Sequence, residues 1–343
     1  MPTESITSSE LVEINGNKQF IDVRGDNAKL PVLLILHGGP GTPETAFVHY
    51  YNSKLSDYFI VVNWEQRGAG ISLMMDQPTE ESMTVESFIS DANVVTELLK
   101  KKFGKEKIYL LGHSWGSQLG MFLIDRYPEN YQAYIGTGQV AHTDKSEKMI
   151  FELVLEWARK DGNQQAIDEL NSIFEPQRGG YDYTDLNKLE KHRKWATYYG
   201  GGPVKMIRMD HDNSLNPVEY LNNLIEACEP YKKYNIDIEK FYAGQSFIPE
   251  RFFQEVNELN PADLVKKVNV PVYFLQGVDD AQTSYEVAKE YLESLEAPKK
   301  KFFSFKKSSH SPMFEEVDKF YEVVREIIKD NQADEALTEK VNN

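Results

Sequence analysis

The sequence has almost no cysteine, no long apolar run and a deficit of positive charge. Cys228 is the single cysteine among 343 residues, which excludes an intrachain disulfide. No cluster of cysteine and histidine has the spacing of metal ligands, and no stretch approaches the ~20 apolar residues of a membrane-spanning helix. The net charge of −16 disfavours nucleic acid and anionic membranes as partners. We therefore expect a soluble protein that needs no metal or organic cofactor.

The first residues suggest where the protein is located in the cell, and the chain length suggests how many structural units it has. Residues 1–5 (Met-Pro-Thr-Glu-Ser) are polar and do not form a basic-then-apolar leader, so we expect a cytoplasmic protein. A chain of 343 residues exceeds what a single sheet domain needs, and the excess suits a core with an inserted lid. The sequence does not indicate an oligomeric state.

A serine lies between two glycines at the end of an apolar run. Residues 107–111 (Lys-Ile-Tyr-Leu-Leu) have a strand pattern, residues 112–116 are Gly-His-Ser-Trp-Gly, and a helical pattern follows at 118–124. In a sharp strand-to-helix turn the chain approaches itself closely, so glycines flank a serine whose hydroxyl is pushed out above the sheet. The helix N-terminus faces the point where negative charge would develop. The spacing predicts Ser114 as a nucleophile.

A glycine-rich turn follows an earlier apolar strand pattern. Residues 31–36 (Pro-Val-Leu-Leu-Ile-Leu) suit a central parallel strand buried on both faces, and residues 37–41 are His-Gly-Gly-Pro-Gly. In hydrolases with a serine elbow, the oxyanion hole takes one N–H from the residue after the nucleophile and another from this earlier loop. We therefore predict Gly39 and Trp115 as the donors, each contributing on the order of 3 kcal/mol of transition-state stabilisation.

An acid and a histidine are expected later in the chain, in that order. Residues 269–275 predict a strand, and a carboxylate just after it would face the crevice at the carboxyl ends of the strands. Asp280 is preferred because a short turn usually precedes the acid, with Asp279 as the alternative. His310 is the one histidine beyond the next strand pattern, residues 301–305, which predicts it as the general base.

Two other polar residues near these motifs are interpreted as structural. Residues 67–70 (Arg-Gly-Ala-Gly) follow a strand pattern, but their spacing fits neither a Walker loop nor a dinucleotide-binding fingerprint. We interpret Arg67 as pairing within the crevice wall. His113 is interpreted as a packing and hydrogen-bonding residue rather than a base.

Taken together, the motifs resemble the proline iminopeptidase group of α/β-hydrolases. The resemblance covers roughly residues 18 to 140 and 262 to 330, and it departs from the family at Glu65, where members usually have aspartate. It implies an α/β fold with a mostly parallel central sheet flanked by helices and an inserted, mainly helical cap. The blocks that carry the resemblance are residues 37–41, residues 64–72 (Trp-Glu-Gln-Arg-Gly-Ala-Gly-Ile-Ser), residues 112–116, Asp280 and His310.

The pattern of elements divides the chain into a core, a cap and a tail. Regular strand-helix alternation stops near residue 140 and returns at Val270. We predict a discontinuous catalytic core at residues 1–140 and 261–330 and a helical cap at 141–260. The polar tail at 331–343 is expected to be frayed or a short solvated helix.

The residues predict a serine hydrolase, and the resemblance implies an aminopeptidase that releases N-terminal proline or other residues from short peptides. A small-molecule carboxylesterase or amidase with the same triad, acting on small acyl substrates, is an alternative. A ligand-binding sensor that retains the fold is another. An aminopeptidase also needs a carboxylate for the substrate's α-ammonium, and the sequence does not choose among the candidates in the cap. These are Glu152, Glu156, Glu219, Glu226 and Glu250.

Overall fold

Eight strands form one mixed sheet within residues 5–202 and 217–341, the ranges that the computed structural model describes. The strands are β1 (Ile6–Ile14), β2 (Asn17–Gly25), β3 (Val32–Leu36), β4 (Ile60–Glu65), β5 (Ile108–His113), β6 (Tyr131–Thr137), β7 (Val272–Gly277) and β8 (Lys300–Phe305). Their order across the sheet is β1-β2-β4-β3-β5-β6-β7-β8. β2 is antiparallel to β1 and β4, and the remaining neighbours are parallel.

Helices connect the strands and fill the long segment between β6 and β7. Before β6 they are α1 (Thr45–Tyr51), α2 (Gly70–Met75), α3 (Val85–Phe103) and α4 (Trp115–Arg126), with short 3₁₀ helices at Ser53–Asp57, Glu80–Ser82 and Pro128–Asn130. Between β6 and β7 they are α5 (Thr143–Asp161), α6 (Gln164–Asn171), α7 (Leu186–Tyr198), α8 (Pro217–Ala227), α9 (Glu229–Tyr234), α10 (Ile238–Phe247), α11 (Glu250–Glu258) and α12 (Pro261–Leu264). After β7 they are α13 (Tyr285–Ser294), α14 (Pro312–Glu315) and α15 (Val317–Val341).

The continuous apolar run of β3 is explained by burial on both faces of the sheet. Val32, Leu34 and Leu36 join a core cluster with residues of α3 and α4, whereas Leu33 and Ile35 join a second cluster with residues of α15. Successive side chains of a strand point to opposite faces, so a strand covered on both sides needs apolar residues throughout. β3 pairs in parallel with β4 and β5, which confirms the predicted central strand and the α/β fold class.

The segment between β6 and β7 occupies the place of the predicted cap. Its described residues add no strand to the sheet. Residues from α5 to α7 form a cluster around Phe151 and Trp195 that Ala281 joins, whereas apolar residues from α8 to α11 pack in clusters with residues of the core. The boundaries at residues 141 and 260 remain a prediction. At the C-terminus α15 continues to Val341, while residues 342–343 lie outside the described ranges. No helix in these ranges is both long enough and apolar enough to cross a membrane.

Candidate active site

Ser114 lies at a sharp turn between β5 and α4. Its φ of 53° and ψ of −122° place it in a region that residues with a Cβ rarely adopt. The backbone N–H of Ser114 donates to the carbonyl oxygen of Thr137 at 3.1 Å, which ties the turn to the end of β6. Ser114 is half-buried and lines two cavities. The strand, turn and helix thus hold the hydroxyl at the carboxyl edge of the sheet.

Gly112 and Gly116 make this turn sterically possible. A Cβ on Gly112 would lie 2.7 Å from the Cα of Ser117, and a Cβ on Gly116 would lie 2.7 Å from the carbonyl oxygen of His37. Distances this short do not occur for real Cβ atoms, so any larger residue would force the backbone apart. The Gly-x-Ser-x-Gly spacing therefore has a direct steric cause in this chain.

Asp280 and His310 meet on the loops that follow β7 and β8. The Nδ1 atom of His310 lies 3.1 Å from Oδ1 and 3.0 Å from Oδ2 of Asp280. Asp280 is 1% exposed and His310 is 3% exposed. Asp279, the alternative acid, lines a separate cleft with Trp157 and Tyr199. Of the two aspartates, Asp280 is therefore the one placed against the imidazole.

Several donors hold the carboxylate of Asp280. Its Oδ1 accepts from the backbone N–H groups of Gln282 at 2.8 Å and Thr283 at 2.9 Å, and its Oδ2 accepts from Thr283 Oγ1 and Gln276 Nε2, each at 2.8 Å. Burial opposes ionisation, but the charge and hydrogen bond of His310 and these donors outweigh it, so the pKa of Asp280 is lowered. An ionised Asp280 keeps the proton of His310 on Nδ1 and leaves Nε2 to act as a base.

Ser114 and His310 line one cavity of about 220 Å³. Within the described residues no hydrogen bond joins their side chains, and in many apo enzymes such bonds tighten only when substrate is bound. Gly138 gives the imidazole its space, because a Cβ there would lie 3.1 Å from both Nδ1 and Cε1 of His310. The imidazole is thus confined between Asp280 and the backbone of Gly138.

The two predicted oxyanion donors border the same region. Gly39 lines both cavities at Ser114, and its φ of 109° is accessible only to glycine. Trp115 is the first residue of α4 and lines the second cavity. Its indole is buried and donates from Nε1 to Gln66 Oε1 at 2.9 Å, which anchors the residue. The structure therefore brings Gly39 and Trp115 together beside Ser114.

A second carboxylate–histidine pair lies next to the first. The Nδ1 atom of His113 is 2.5 Å from Glu44 Oε1, and its Nε2 is 3.1 Å from the carbonyl oxygen of His310. Both partners can accept hydrogen bonds, so an imidazolium, which donates from both ring nitrogens, would satisfy both contacts. Burial by itself would lower the pKa of His113, but the charge and hydrogen bond of Glu44 exceed that effect and raise it. His113 thereby connects Glu44 to the loop of His310.

The second cavity, of about 230 Å³, extends from Ser114 towards α5 and α7. Glu147 on α5 and Arg193 on α7 both line it, and they form an ion pair. The other oxygen of Glu147 accepts from Tyr181 Oη at 2.6 Å. This cavity therefore presents a carboxylate whose two oxygens are already engaged.

Arg67 lines neither cavity, and each of its three guanidinium nitrogens donates a hydrogen bond. Its guanidinium donates to both oxygens of Asp91 on α3, at 2.6 and 2.8 Å, and to the carbonyl oxygen of Ser82 at 3.0 Å. This contact is consistent with a structural role. In the ranges that the structure covers, no group of three or more histidine, cysteine or acidic residues is arranged to hold a metal ion.

The glutamates that line the cavities at Ser114 differ from the cap candidates considered in the sequence. Glu44 and Glu147 line the two cavities, and neither was among the candidates. The one sequence signal for Glu44 is its place three residues after the glycine-rich turn. Glu147 has no such signal, because only the fold of the cap turns it towards Ser114. The five cap candidates are all exposed and line neither cavity: Glu152, Glu156, Glu219, Glu226 and Glu250.

Comparisons with known proteins agree with the fold. The chain is 31% identical over 318 residues to the probable aminopeptidase YbaC of Bacillus subtilis (strain 168), covering 92% of this chain and 95% of that protein. It is 22% identical over 313 residues to a proline iminopeptidase of Lactobacillus helveticus (strain DPC 4571), covering 91% and 94%. The crystal structure of a proline iminopeptidase from Mycobacterium smegmatis has the same fold, with a TM-score of 0.62, 17% identity and coverage of 94% and 98%.

A family model also matches most of the chain. The alpha/beta hydrolase fold model matches residues 31–317, from the start of the central strands to the beginning of α15. This range includes the serine elbow, the glycine-rich turn and the paired aspartate and histidine. The resemblance inferred from the motifs is thus confirmed, and the chain belongs to the α/β-hydrolase fold family.

Proposed function

We propose that this protein is a serine aminopeptidase that releases the N-terminal residue, preferably proline, from short peptides. The observation that carries the proposal is the buried Asp280–His310 pair in the cavity of Ser114, which has the backbone of a nucleophile elbow. Such a pair converts a weakly nucleophilic hydroxyl into one that attacks a carbonyl carbon. The names of the relatives, aminopeptidase and proline iminopeptidase, support the choice of substrate.

The proposed reaction begins with acylation of the serine. His310 Nε2 accepts the proton of Ser114 as Oγ bonds to the carbonyl carbon of the N-terminal residue. The N–H groups of Gly39 and Trp115 stabilise the oxyanion of the tetrahedral intermediate. The intermediate collapses by breaking the C–N bond, and the imidazolium, held by Asp280, gives its proton to the leaving nitrogen.

Deacylation repeats these steps with water. His310 removes a proton from a water molecule, whose oxygen attacks the acyl-enzyme. The ester bond to Ser114 breaks, its oxygen regains the proton from His310, and the free amino acid leaves. Two cavities of about 220 and 230 Å³ meet at Ser114, and their size suits short peptides rather than folded proteins.

Hydrolysis of proline β-naphthylamide and of a short-chain p-nitrophenyl ester tests this proposal, with wild type compared with Ser114→Ala. We expect the wild type to cleave the amide, to lose most activity when the proline nitrogen is acetylated, and to lose turnover in the variant. Serine-dependent turnover of the ester alone would contradict the aminopeptidase assignment and indicate a carboxylesterase. An amide activity that survives in Ser114→Ala would contradict the proposed nucleophile.

A further inference from the structure

The backbone N–H groups on either side of His310 donate to one carboxylate. Glu315, the last residue of α14, accepts from Ser309 N–H at 2.5 Å through Oε2 and from Ser311 N–H at 3.3 Å through Oε1. The hydroxyl of Ser309 lies 3.0 Å from Oε1 of Glu315 and 2.9 Å from the carbonyl oxygen of Gly202. Glu315 therefore contacts both chain neighbours of the proposed base.

Burial makes these contacts costly to lose. Ser309 is 0% exposed and Ser311 is 4% exposed, so water does not readily replace a missing acceptor. A buried N–H group without an acceptor destabilises the conformation that contains it, and a hydrogen bond to an ionised acceptor is stronger than one to a neutral acceptor. The carboxylate of Glu315 thus stabilises one particular backbone arrangement around His310.

Other parts of the core hold the carbonyl groups of the same segment. The carbonyl oxygen of His310 lies 3.1 Å from Nε2 of His113. A Cβ on Gly277, at the end of β7, would lie 1.9 Å from the carbonyl oxygen of Ser309, so the segment passes directly over the end of that strand. The carbonyl groups are thus fixed against the sheet, and Glu315 holds the N–H groups.

The position of the imidazole depends on this backbone. Asp280 restrains only Nδ1 of His310, and the backbone then determines where Nε2 lies relative to Ser114. A misplacement of about 1 Å at a reacting group can lower a rate about 100-fold. Glu315 lines neither of the two cavities at Ser114, so any effect on turnover should pass through His310 rather than through a contact with substrate.

We propose that Glu315 is a positioning residue for the general base: its carboxylate fixes the backbone on both sides of His310 and thereby places Nε2 within reach of Ser114. The inference rests on the serine mechanism of the proposed function and adds a further side chain to it. Glu315 touches neither substrate nor the reacting atoms in this scheme. Its removal should slow each step in which His310 moves a proton and should leave substrate binding unchanged.

Glu316 provides a matched control on the same loop. It is half-buried, as Glu315 is, but its Oε2 accepts from the N–H of Lys307 at 2.9 Å and from the hydroxyl of Ser308 at 2.8 Å. These two residues precede the ones that flank His310. Glu316→Gln therefore removes an adjacent carboxylate from the loop without removing the contacts of Glu315.

The first measurement is the kcat and KM of Glu315→Gln and Glu316→Gln with a short-chain p-nitrophenyl ester. Burial raises the pKa of Glu315 to about 7, so an assay at about pH 8.5 keeps the wild-type carboxylate ionised. In Glu315→Gln an NH₂ group replaces one acceptor oxygen and would face a donor. We expect kcat to fall roughly 10- to 100-fold while KM changes less than about threefold. Glu316→Gln should change kcat less than about threefold.

A double-mutant cycle with His310→Ala separates positioning from general support of the fold. Its readout is the rate at which a fluorophosphonate labels Ser114, which does not depend on the preferred substrate. A residue that acts through His310 has no further effect once the imidazole is absent, so Glu315→Gln should slow labelling of the wild type but not of His310→Ala. Ser309→Ala, which removes only the hydroxyl contacts, is a milder second variant and should follow the same pattern with a smaller loss.

The possible outcomes separate this inference from the proposed function. Equal slowing by Glu315→Gln with and without His310 would show a purely structural role and overturn the inference. A wild-type kcat in Glu315→Gln, or an equal loss in Glu316→Gln, would also overturn it, and the aminopeptidase function would stand. If the wild type hydrolyses the ester but not proline β-naphthylamide, the aminopeptidase assignment fails, while the ester and labelling data still decide the inference. A wild type in which Ser114 is not labelled would overturn both.

Discussion

Glu44 and His113 form a buried ion pair directly beside the proposed nucleophile, with 2.5 Å between Oε1 and Nδ1. His113 precedes Ser114 in the chain, and its other nitrogen donates to the backbone carbonyl of His310. The pair thus connects three loops, those after β3, β5 and β8, that carry a predicted oxyanion donor, the nucleophile and the base. A disturbance of this pair should change the relative positions of these groups.

Substitution His113→Asn should reduce turnover through positioning. Asparagine can donate towards Glu44 but does not reach the carbonyl of His310, so the loop of the base loses one contact. We expect kcat to fall roughly 10- to 100-fold, because small misplacements of reacting groups are costly. The comparison variant is His113→Gln, whose longer side chain extends further towards His310. Steady-state kinetics of the two variants measure the effect. An unchanged kcat in His113→Asn would contradict the positioning role.

The same pair should make stability depend on pH. The folded-state pKa of His113 is raised above its ordinary value of 6.5, so its contribution is fully present below pH 6.5 and is lost as the pH rises through the folded-state pKa. The unfolding free energy of the wild type should therefore decrease more steeply above pH 6.5 than that of His113→Asn. Urea denaturation of both proteins across this range measures the difference. An equal pH dependence of the unfolding free energy in the two proteins would contradict a protonated His113 in the folded state.

Asp280→Asn and Asp279→Asn form a matched pair of neighbouring substitutions. In Asp280→Asn the neutral amide would no longer hold the proton of His310 on Nδ1, and we expect kcat to fall about 10³- to 10⁴-fold. Asp279 lines the separate cleft with Trp157, so Asp279→Asn should change kcat less than about threefold. Ester hydrolysis near neutral pH is a sufficient assay. A larger loss in Asp279→Asn than in Asp280→Asn would reverse the choice of acid.

Gly112→Ala should destabilise the fold as well as the site. The new Cβ would lie 2.7 Å from the backbone of Ser117, and we expect a loss of about 3 kcal/mol in unfolding free energy. Gly104→Ala is the control, because Gly104 has a φ of +61° but no atom within 4 Å of the added Cβ. Its cost should be about 1–2 kcal/mol. Similar losses in the two variants, measured by urea denaturation, would indicate that the elbow has more space than the structure shows.

Glu65, the departure from the family's aspartate, should also link stability to pH. It is fully buried, and burial raises its pKa from 4.5 to about 7. Because the folded-state pKa is raised, the protonated side chain stabilises the fold fully below pH 4.5. This contribution to the unfolding free energy is lost as the pH rises through 7, at up to about 1.4 kcal/mol per pH unit. In Glu65→Gln, the amide can accept from Ile71 N–H and donate to Thr45, the present partners of Glu65. The unfolding free energy of this variant should fall less between pH 5 and 7, and an equal slope would contradict the raised pKa.

The central strands and the serine elbow could be predicted from sequence because short-range physics determines them. The unbroken apolar run of β3 reflects burial on both faces, and Gly112 and Gly116 are required by contacts within one turn. His310 could be predicted from its order in the chain. The strand and elbow signals depend on local geometry, and the signal for His310 depends on the fixed order of the elements along the chain.

The surroundings of the site could not be predicted in the same way. Glu147 lines a cavity at Ser114 only because of the way the cap helices pack. The residues around Glu44 give no signal that His113 will pair with it in the fold. Similarly, sequence alone left Asp279 and Asp280 as alternatives, since adjacent residues on a turn point in different directions. The strand pattern cannot show which of them faces the histidine.

Labelling with a fluorophosphonate, followed by intact mass measurement and peptide mapping, most directly tests the proposal that His310 activates Ser114. We expect one adduct on the peptide that contains Ser114 in the wild type and none on this peptide in Ser114→Ala. Labelling of His310→Ala should be slower by about 10³-fold or more, because the hydroxyl would lack its base. An adduct on another residue, or labelling of Ser114 at the same rate without His310, would contradict the proposed mechanism.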